Sequence, residues 1–91
     1  MYQISLYTKL KAKKLGVEVK PSTRKNKKLD VYKKGEYLVS VGDDRYLDFS
    51  SYKQMFGEVI SEIRRKEYLR RHKKDIKNKG SAGYYAAKLL W

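Results

Sequence analysis

The chain has 91 residues, which is enough for one small domain with a modest hydrophobic core. It carries 23 Lys and Arg residues against 10 Asp and Glu residues, a formal net charge of +13. Charge of this density destabilises a compact state unless an anionic partner neutralises it. We therefore expect nucleic acid or an acidic protein surface as the partner, with anionic lipid as a competing class.

The remaining composition excludes several classes of protein. Cysteine is absent, so disulfides and thiolate metal sites are excluded. The nine Tyr, two Phe and one Trp are more aromatic residues than a disordered basic tail would contain. No apolar run approaches the ~20 residues that cross a bilayer, and no signal peptide is recognisable. We expect no membrane partner and a cytosolic or nucleoid-like setting.

Residues 1–16 are predicted to form a basic N-terminal arm. Tyr2, Ile4 and Leu6 alternate as in a short strand, and the lysine-rich stretch that follows predicts a brief helical turn ending at Gly16. Such an arm either stays solvated or lies on a partner as a second tether.

Residues 17–91 are predicted to form a single small α+β domain that begins with a three-stranded antiparallel meander. Period-two alternation places strands at 17–20, 29–32 and 37–41. Pro21 either ends the first strand or leaves it at the edge of the sheet, and Gly35 lies in the short connection between the second and third strands. Such a sheet needs a helix over one face to be stable.

A long amphipathic helix and a short C-terminal helix are predicted to follow the sheet. Ser51 and Gln54 fit a capping box at the start of the long helix. Its apolar residues recur at three- and four-residue spacing, which predicts a half-buried stripe packed on the sheet. The stripe comprises Tyr52, Met55, Phe56, Val59, Ile60 and Ile63. Gly57 interrupts the stripe, and the helix is expected to continue to about Asp75 before Ser81 caps the last helix.

The best candidate for anion binding is a basic cluster on the long helix. Arginine predominates there, and its planar guanidinium suits phosphate and carboxylate. The cluster consists of Arg64, Arg65, Arg70, Arg71, Lys73 and Lys74. The competing interpretation is a solvated helix face that serves solubility.

A second basic segment surrounds the first turn of the predicted sheet. Its candidate residues are Arg24, Lys25, Lys27 and Lys28. Tyr32 and Tyr37 either stack on bases beside it or are ordinary strand residues facing the helix.

The sequence does not favour catalysis, and we expect no enzyme activity and no cofactor. Asp43, Asp44, Glu58 and Glu62 are the only plausible ligands for a nuclease metal, and they lack calcium-loop spacing. His72 lacks an obvious nucleophile, although Asp75 lies three residues on and could pair with it.

Three motifs resemble a family of short basic proteins of unknown function encoded by large DNA viruses and tailed phages. The motifs are Gly-Asp-Asp-Arg-Tyr at 42–46, Tyr-Leu-Arg-Arg-His at 68–72, and Ser-Ala-Gly-Tyr-Tyr at 81–85 closing on Leu-Leu-Trp at 89–91. The resemblance covers roughly residues 17–91. Asp44 departs from the small residue usual in the family, and the stretch 54–63 is longer than its counterpart.

The resemblance implies a viral origin and a place in the virion, with the host cytoplasm as the location during infection. The implied function is a minor capsid component that bridges acidic capsid surfaces or contacts packaged genome. The alternative is a non-specific DNA- or RNA-binding protein that acts during infection. Within the shared motifs, Arg45 and Tyr46 are expected to dock on Arg71, His72 and Asp75, and Trp91 is expected to close the core.

Overall fold

The computed structural model describes residues 2–91 and contains an α+β fold. Its elements, in chain order, are α1 (Leu6–Leu15), β1 (Glu18–Pro21), β2 (Lys27–Lys33), β3 (Glu36–Asp43), α2 (Phe49–Phe56), α3 (Glu58–Arg71), α4 (Lys73–Lys77) and α5 (Ala82–Leu90). The strands pair antiparallel in the order β1-β2-β3. The predicted α+β class and three-stranded meander are therefore confirmed.

The hairpin between β2 and β3 has the turn chemistry that the sequence indicates. Lys34 and Gly35 have φ values of 51° and 80°, so both central residues of this two-residue turn are left-handed, as a type I′ turn requires. The register pairs Leu29 with Val41 and Val31 with Val39, which places these side chains on one face of the sheet.

Helix α5, rather than the predicted long helix, covers the apolar face of the sheet. Leu89 and Leu90 are buried in the same cluster as Leu29 and Trp91. A Cβ on Gly42 of β3 would lie 2.7 Å from a methyl carbon of Leu90, so the glycine permits the close approach of α5. The expectations that Ser81 caps the last helix and that Trp91 packs into the core are confirmed, and the Ser81 side chain accepts from the Tyr84 amide at 3.1 Å.

Residues 6–15 form α1, which packs into the fold, so the predicted N-terminal arm is part of the domain. The predicted helical segment ending at Gly16 is confirmed, because Gly16 caps α1. Thr8 is 1% exposed and donates to the Leu89 carbonyl at 2.9 Å. Tyr7 donates to the main-chain oxygen of Trp91 at 2.8 Å, and Ala12 belongs to the core. Met1, the first residue of the predicted arm, lies outside the described residues.

The predicted long helix is divided into three. Gly57 separates α2 from α3 with a φ of 87°, and His72 separates α3 from α4. No heavy atom lies within 4 Å of the position a Cβ on Gly57 would occupy, so the glycine provides a backbone conformation and does not serve close packing. The predicted Ser51 cap is also wrong, because Asp48 caps α2 and accepts from the Ser51 amide at 3.1 Å.

The predicted burial of the apolar stripe is wrong for most of its members. Tyr52 is half-buried against the core, but the other five side chains are exposed: Met55, Phe56, Val59, Ile60 and Ile63. The apolar residues recur at helical spacing, but Gly57 divides them between α2 and α3, and α5 already occupies the face of the sheet that the stripe was expected to cover.

A buried ion pair joins the sheet to α2. Lys28 Nζ lies 3.0 Å from Asp48 Oδ2, and the two side chains are 5% and 2% exposed. The Tyr2 hydroxyl donates to the same carboxylate oxygen at 2.5 Å. Burial alone would raise the pKa of Asp48, but hydrogen bonds from Tyr2, Lys28 and the Ser51 amide, together with the charge of Lys28, hold that pKa below its ordinary value.

We predict that Asp48→Asn lowers the free energy of unfolding by about 3–5 kcal/mol at neutral pH, because it leaves the Lys28 ammonium buried and unpaired. Since the pKa of Asp48 is depressed in the folded state, the wild type loses this stabilisation as the pH falls below about 4, and the variant has none to lose. Urea unfolding across pH measures both effects. Asp44→Asn, an exposed carboxylate in the same loop, is the control; an equal loss in the two variants would contradict the assignment.

Candidate nucleic-acid interface

Four of the predicted cations form an exposed basic surface where α3 ends and α4 begins. This surface, the α3–α4 basic surface, consists of Arg70, Arg71, Lys73 and Lys74. Within residues 2–91, none of these four has a carboxylate within 4 Å. The chain breaks its helix at His72, whose Nδ1 lies 3.1 Å from Asp75, so the expected pairing of these two residues is confirmed.

The other two arginines of the predicted cluster have local partners. Arg64 remains exposed and lies 3.2 Å from Glu67. Arg65 Nε donates to the main-chain oxygen of Trp91 at 2.7 Å, and its Nη1 lies 3.9 Å from Glu62. Arg65 therefore connects α3 to the end of α5 and is not displayed for a ligand.

The second predicted segment is only partly available. Arg24, Lys25 and Lys27 are exposed around the turn before β2. Lys28 is buried against Asp48, so its assignment as an anion-binding residue is corrected to a structural one. The Arg24 guanidinium lies 4.9 Å from the centre of the Tyr37 ring, so this tyrosine contacts a cation and does not face a helix.

A cleft of about 710 Å³ lies between the β3–α2 loop, α3 and α5. Its lining includes cations and aromatic rings, namely Tyr46, Tyr52, Arg64, Tyr68, Arg71, His72 and Trp91. The carboxylates of Asp43 and Glu67 also line it, and they are paired with Arg45 and Arg64. The Tyr68 ring is stacked between Trp91, at 4.5 Å and 9°, and His72, at 4.2 Å and 26°. This column begins in the core and ends at the half-exposed His72.

The column formed by Tyr68, Trp91 and His72 was not predicted from the sequence. The four-residue spacing of Tyr68 and His72 on one helix was a usable signal, because such residues are neighbours on a helix face. The third ring of the column, Trp91, lies on a separate element and carries no local signal.

The arrangement suits contact with a polyanion that has aromatic groups. Cations at the rim neutralise phosphates, and aromatic rings offer faces for bases without reading their identity. Among the described residues, no group of three or more His, Asp or Glu side chains is close enough to hold a metal ion.

Arg45, in the β3–α2 loop, does not make the contact with the basic helix that was expected from the sequence. Arg45 binds Asp43 through two hydrogen bonds, Nε to Oδ1 at 2.9 Å and Nη2 to Oδ2 at 2.7 Å, instead of reaching the basic helix. These hydrogen bonds lower the pKa of Asp43 to about 2. Tyr46 does lie on the wall of the cleft that Arg71 and His72 also line.

Positive charge is also crowded where α1, α3 and α5 meet. Burial, followed by the charges of Arg65, Lys88 and Lys14, lowers the pKa of Lys11 to about 8. Lys11 Nζ donates to the Tyr7 hydroxyl at 3.1 Å, and no carboxylate within residues 2–91 lies within 4 Å to offset its charge.

We predict that the free energy of unfolding rises between about pH 8 and 10 through Lys11. The pKa of Lys11 is lowered from 10.5 in the unfolded chain to about 8 in the fold, so the unfolded chain binds more protons in this interval. Urea unfolding of Lys11→Met should show a smaller rise than the wild type, while Lys13→Met, an exposed residue of the same helix, should keep the wild-type rise. The prediction fails if Lys11→Met and Lys13→Met have the same pH dependence.

Neither protein-family models, curated proteins nor solved structures give a match to this chain. In the part of the chain that the structure describes, no helix has the length and apolar character needed to cross a membrane.

Proposed function

We propose that this protein is a small, non-enzymatic structural protein that contacts nucleic acid through the α3–α4 basic surface. The observation that carries the proposal is that the exposed cations Arg70, Arg71, Lys73 and Lys74 have no carboxylate within 4 Å among residues 2–91. A cationic surface of this kind binds phosphates by releasing condensed counterions, and it needs no base-specific contact.

The neighbouring cleft adds a reason to favour nucleic acid over another polyanion. Arg71 belongs to both the basic surface and the cleft, and His72 ends the aromatic column beside it. A strand whose phosphates lie along the cations can therefore place a base against the exposed part of this column. We expect little dependence on base sequence, because stacking accepts every base.

The resemblance to viral proteins supports a virus particle as the setting, with packaged genome as the nucleic acid and acidic capsid proteins as neighbours. The alternative is a non-specific DNA- or RNA-binding protein that acts during infection and stays outside the particle. Mass spectrometry of purified particles separates these two. Recovery of the protein with the capsid proteins supports the first, and recovery only from infected cytoplasm supports the second.

We predict that binding to duplex DNA weakens steeply with salt, and that the triple variant Arg71→Gln, Lys73→Gln, Lys74→Gln has a shallower salt slope. Each phosphate contact contributes about −0.9 to the slope of log K against log salt, so loss of three contacts reduces it by roughly 2–3. Fluorescence anisotropy with a labelled duplex measures the slope. Trp91, the only tryptophan, gives a second readout from inside the cleft.

The matched control is Lys9→Gln, Lys13→Gln, Lys14→Gln, which removes the same amount of charge from exposed positions on α1. The salt slope of this control variant should be closer to that of the wild type. Equal effects of the two triple variants would show that binding follows net charge alone, and salt-insensitive binding would contradict phosphate contact altogether.

A further inference from the structure

Helix α3 turns its aliphatic side chains away from the rest of the protein. Its inward face contains Ser61, which is fully buried, and Tyr68, which stacks on Trp91 at 4.5 Å. The outer apolar face consists of Val59, Ile60 and Ile63. Met55 and Phe56 are also exposed, but they belong to α2 and precede the break at Gly57. A surface helix in an isolated domain normally has the opposite orientation, with its apolar stripe toward the core.

The outer apolar face is large and uncovered. Val59, Ile60 and Ile63 are 73%, 42% and 51% exposed, and no element within residues 2–91 covers them. Single exposed apolar residues are ordinary, but a contiguous set at helical spacing marks a surface that a partner buries. A helix that docks on such a face does so through apolar anchors at the same three- and four-residue spacing.

The charge along the same face indicates the kind of partner. Glu67, four residues after Ile63, lies on the same face, but Arg64 pairs with it at 3.2 Å. Lys66 and Arg70 follow Ile63 by three and seven residues, so they continue the outer face toward the end of α3. Both are exposed, and neither has a carboxylate within 4 Å among residues 2–91. We propose that this face docks an acidic amphipathic helix of another protein, with aliphatic anchors on the apolar residues and carboxylates against Lys66 and Arg70.

Charge also argues against a second copy of the protein and against an anionic bilayer as the group that covers this face. A second copy would bring a second net charge of +13 to the contact. A continuous anionic bilayer would meet Glu58, Glu62 and Glu67 as well as the cations of α3. A helix differs from a bilayer because its carboxylates can be confined to the end that faces Lys66 and Arg70, and it also avoids the repulsion between two copies.

This inference goes beyond the proposed function, because protein docking uses the face from Val59 to Arg70 while phosphate contact is tested at Arg71, Lys73 and Lys74. Together the two surfaces would tether nucleic acid to a protein. Arg70 belongs to both surfaces, so the variants that separate the two proposals leave it unchanged: serine at 59 and 63 removes the apolar anchors, and glutamine at 71, 73 and 74 removes phosphate contacts.

The test uses the full chain and a synthetic acidic amphipathic peptide of about 18 residues, or roughly five helical turns, with Leu at helical spacing, Glu in one half and Gln in the other. Val59→Ser with Ile63→Ser keeps every charge of the protein, so it separates apolar docking from non-specific charge attraction. We expect it to weaken binding by about tenfold or more, since two buried aliphatic side chains are lost. Leu6→Ser with Leu10→Ser, which alters exposed leucines on α1, is the matched control and should bind like the wild type.

The charge requirement is tested with the same peptide carrying Lys in place of Glu and with Lys66→Glu, Arg70→Glu. The wild type should prefer the acidic peptide, and the charge-reversed variant should lose that preference. Unchanged binding of the acidic peptide to the Val59 and Ile63 variant would overturn the proposal.

Two further measurements test whether a bilayer or a second copy of the protein covers the face instead. Co-sedimentation with phosphatidylcholine–phosphatidylglycerol vesicles and analytical ultracentrifugation are run on the wild type and on the serine variant. Vesicle binding or a dimer that is lost in the serine variant would assign the face to a bilayer or to a second copy, and so overturn the proposal. Duplex binding by the serine variant should equal that of the wild type, which keeps the outcome distinct from a failure of the proposed function.

Discussion

The buried ion pair between Lys28 and Asp48 connects the parts of the fold that determine where α3 lies. Lys28 belongs to β2, Asp48 caps the first turn of α2, and Tyr2 brings the N-terminal segment to the same carboxylate. A pair that excludes water in this way stays favourable only while both partners are present. The Lys28–Asp48 ion pair fixes the start of α2, and only Gly57 separates α2 from α3. The ion pair therefore also limits which face of α3 turns toward Trp91.

The shortage of carboxylates explains how the remaining charge is arranged. Several of the acids are engaged by near neighbours in sequence: Asp43 with Arg45, Glu67 with Arg64, and Asp75 with His72. These exposed pairs stabilise little, but within residues 2–91 no carboxylate lies within 4 Å of the cations of the α3–α4 basic surface. The same helix therefore presents aliphatic side chains along its first half and uncompensated positive charge along its second.

Local patterns were sufficient to predict the sheet, its hairpin turn at Lys34 and Gly35, and the Ser81 cap, because each depends on residues close in sequence. Features set by distant contacts were not predictable. Helix α1 is buried through the small residues Thr8 and Ala12, which leave almost no apolar periodicity. The burial of Lys28 depends on a carboxylate 20 residues away. The stripe on α2 and α3 was recognised as amphipathic, but periodicity does not say whether the chain itself or a partner covers it.

The proposed function requires that the cations of the α3–α4 basic surface bind phosphate. The most direct measurement is the change in backbone amide NMR shifts when oligothymidylate is added to the labelled full chain. We expect saturable changes in the amide shifts, concentrated at residues 70–74 and reversed by added salt. The amide shift of the buried Lys28 should not change. Shifts spread evenly over every exposed lysine, or absent from 70–74, would contradict the proposed function.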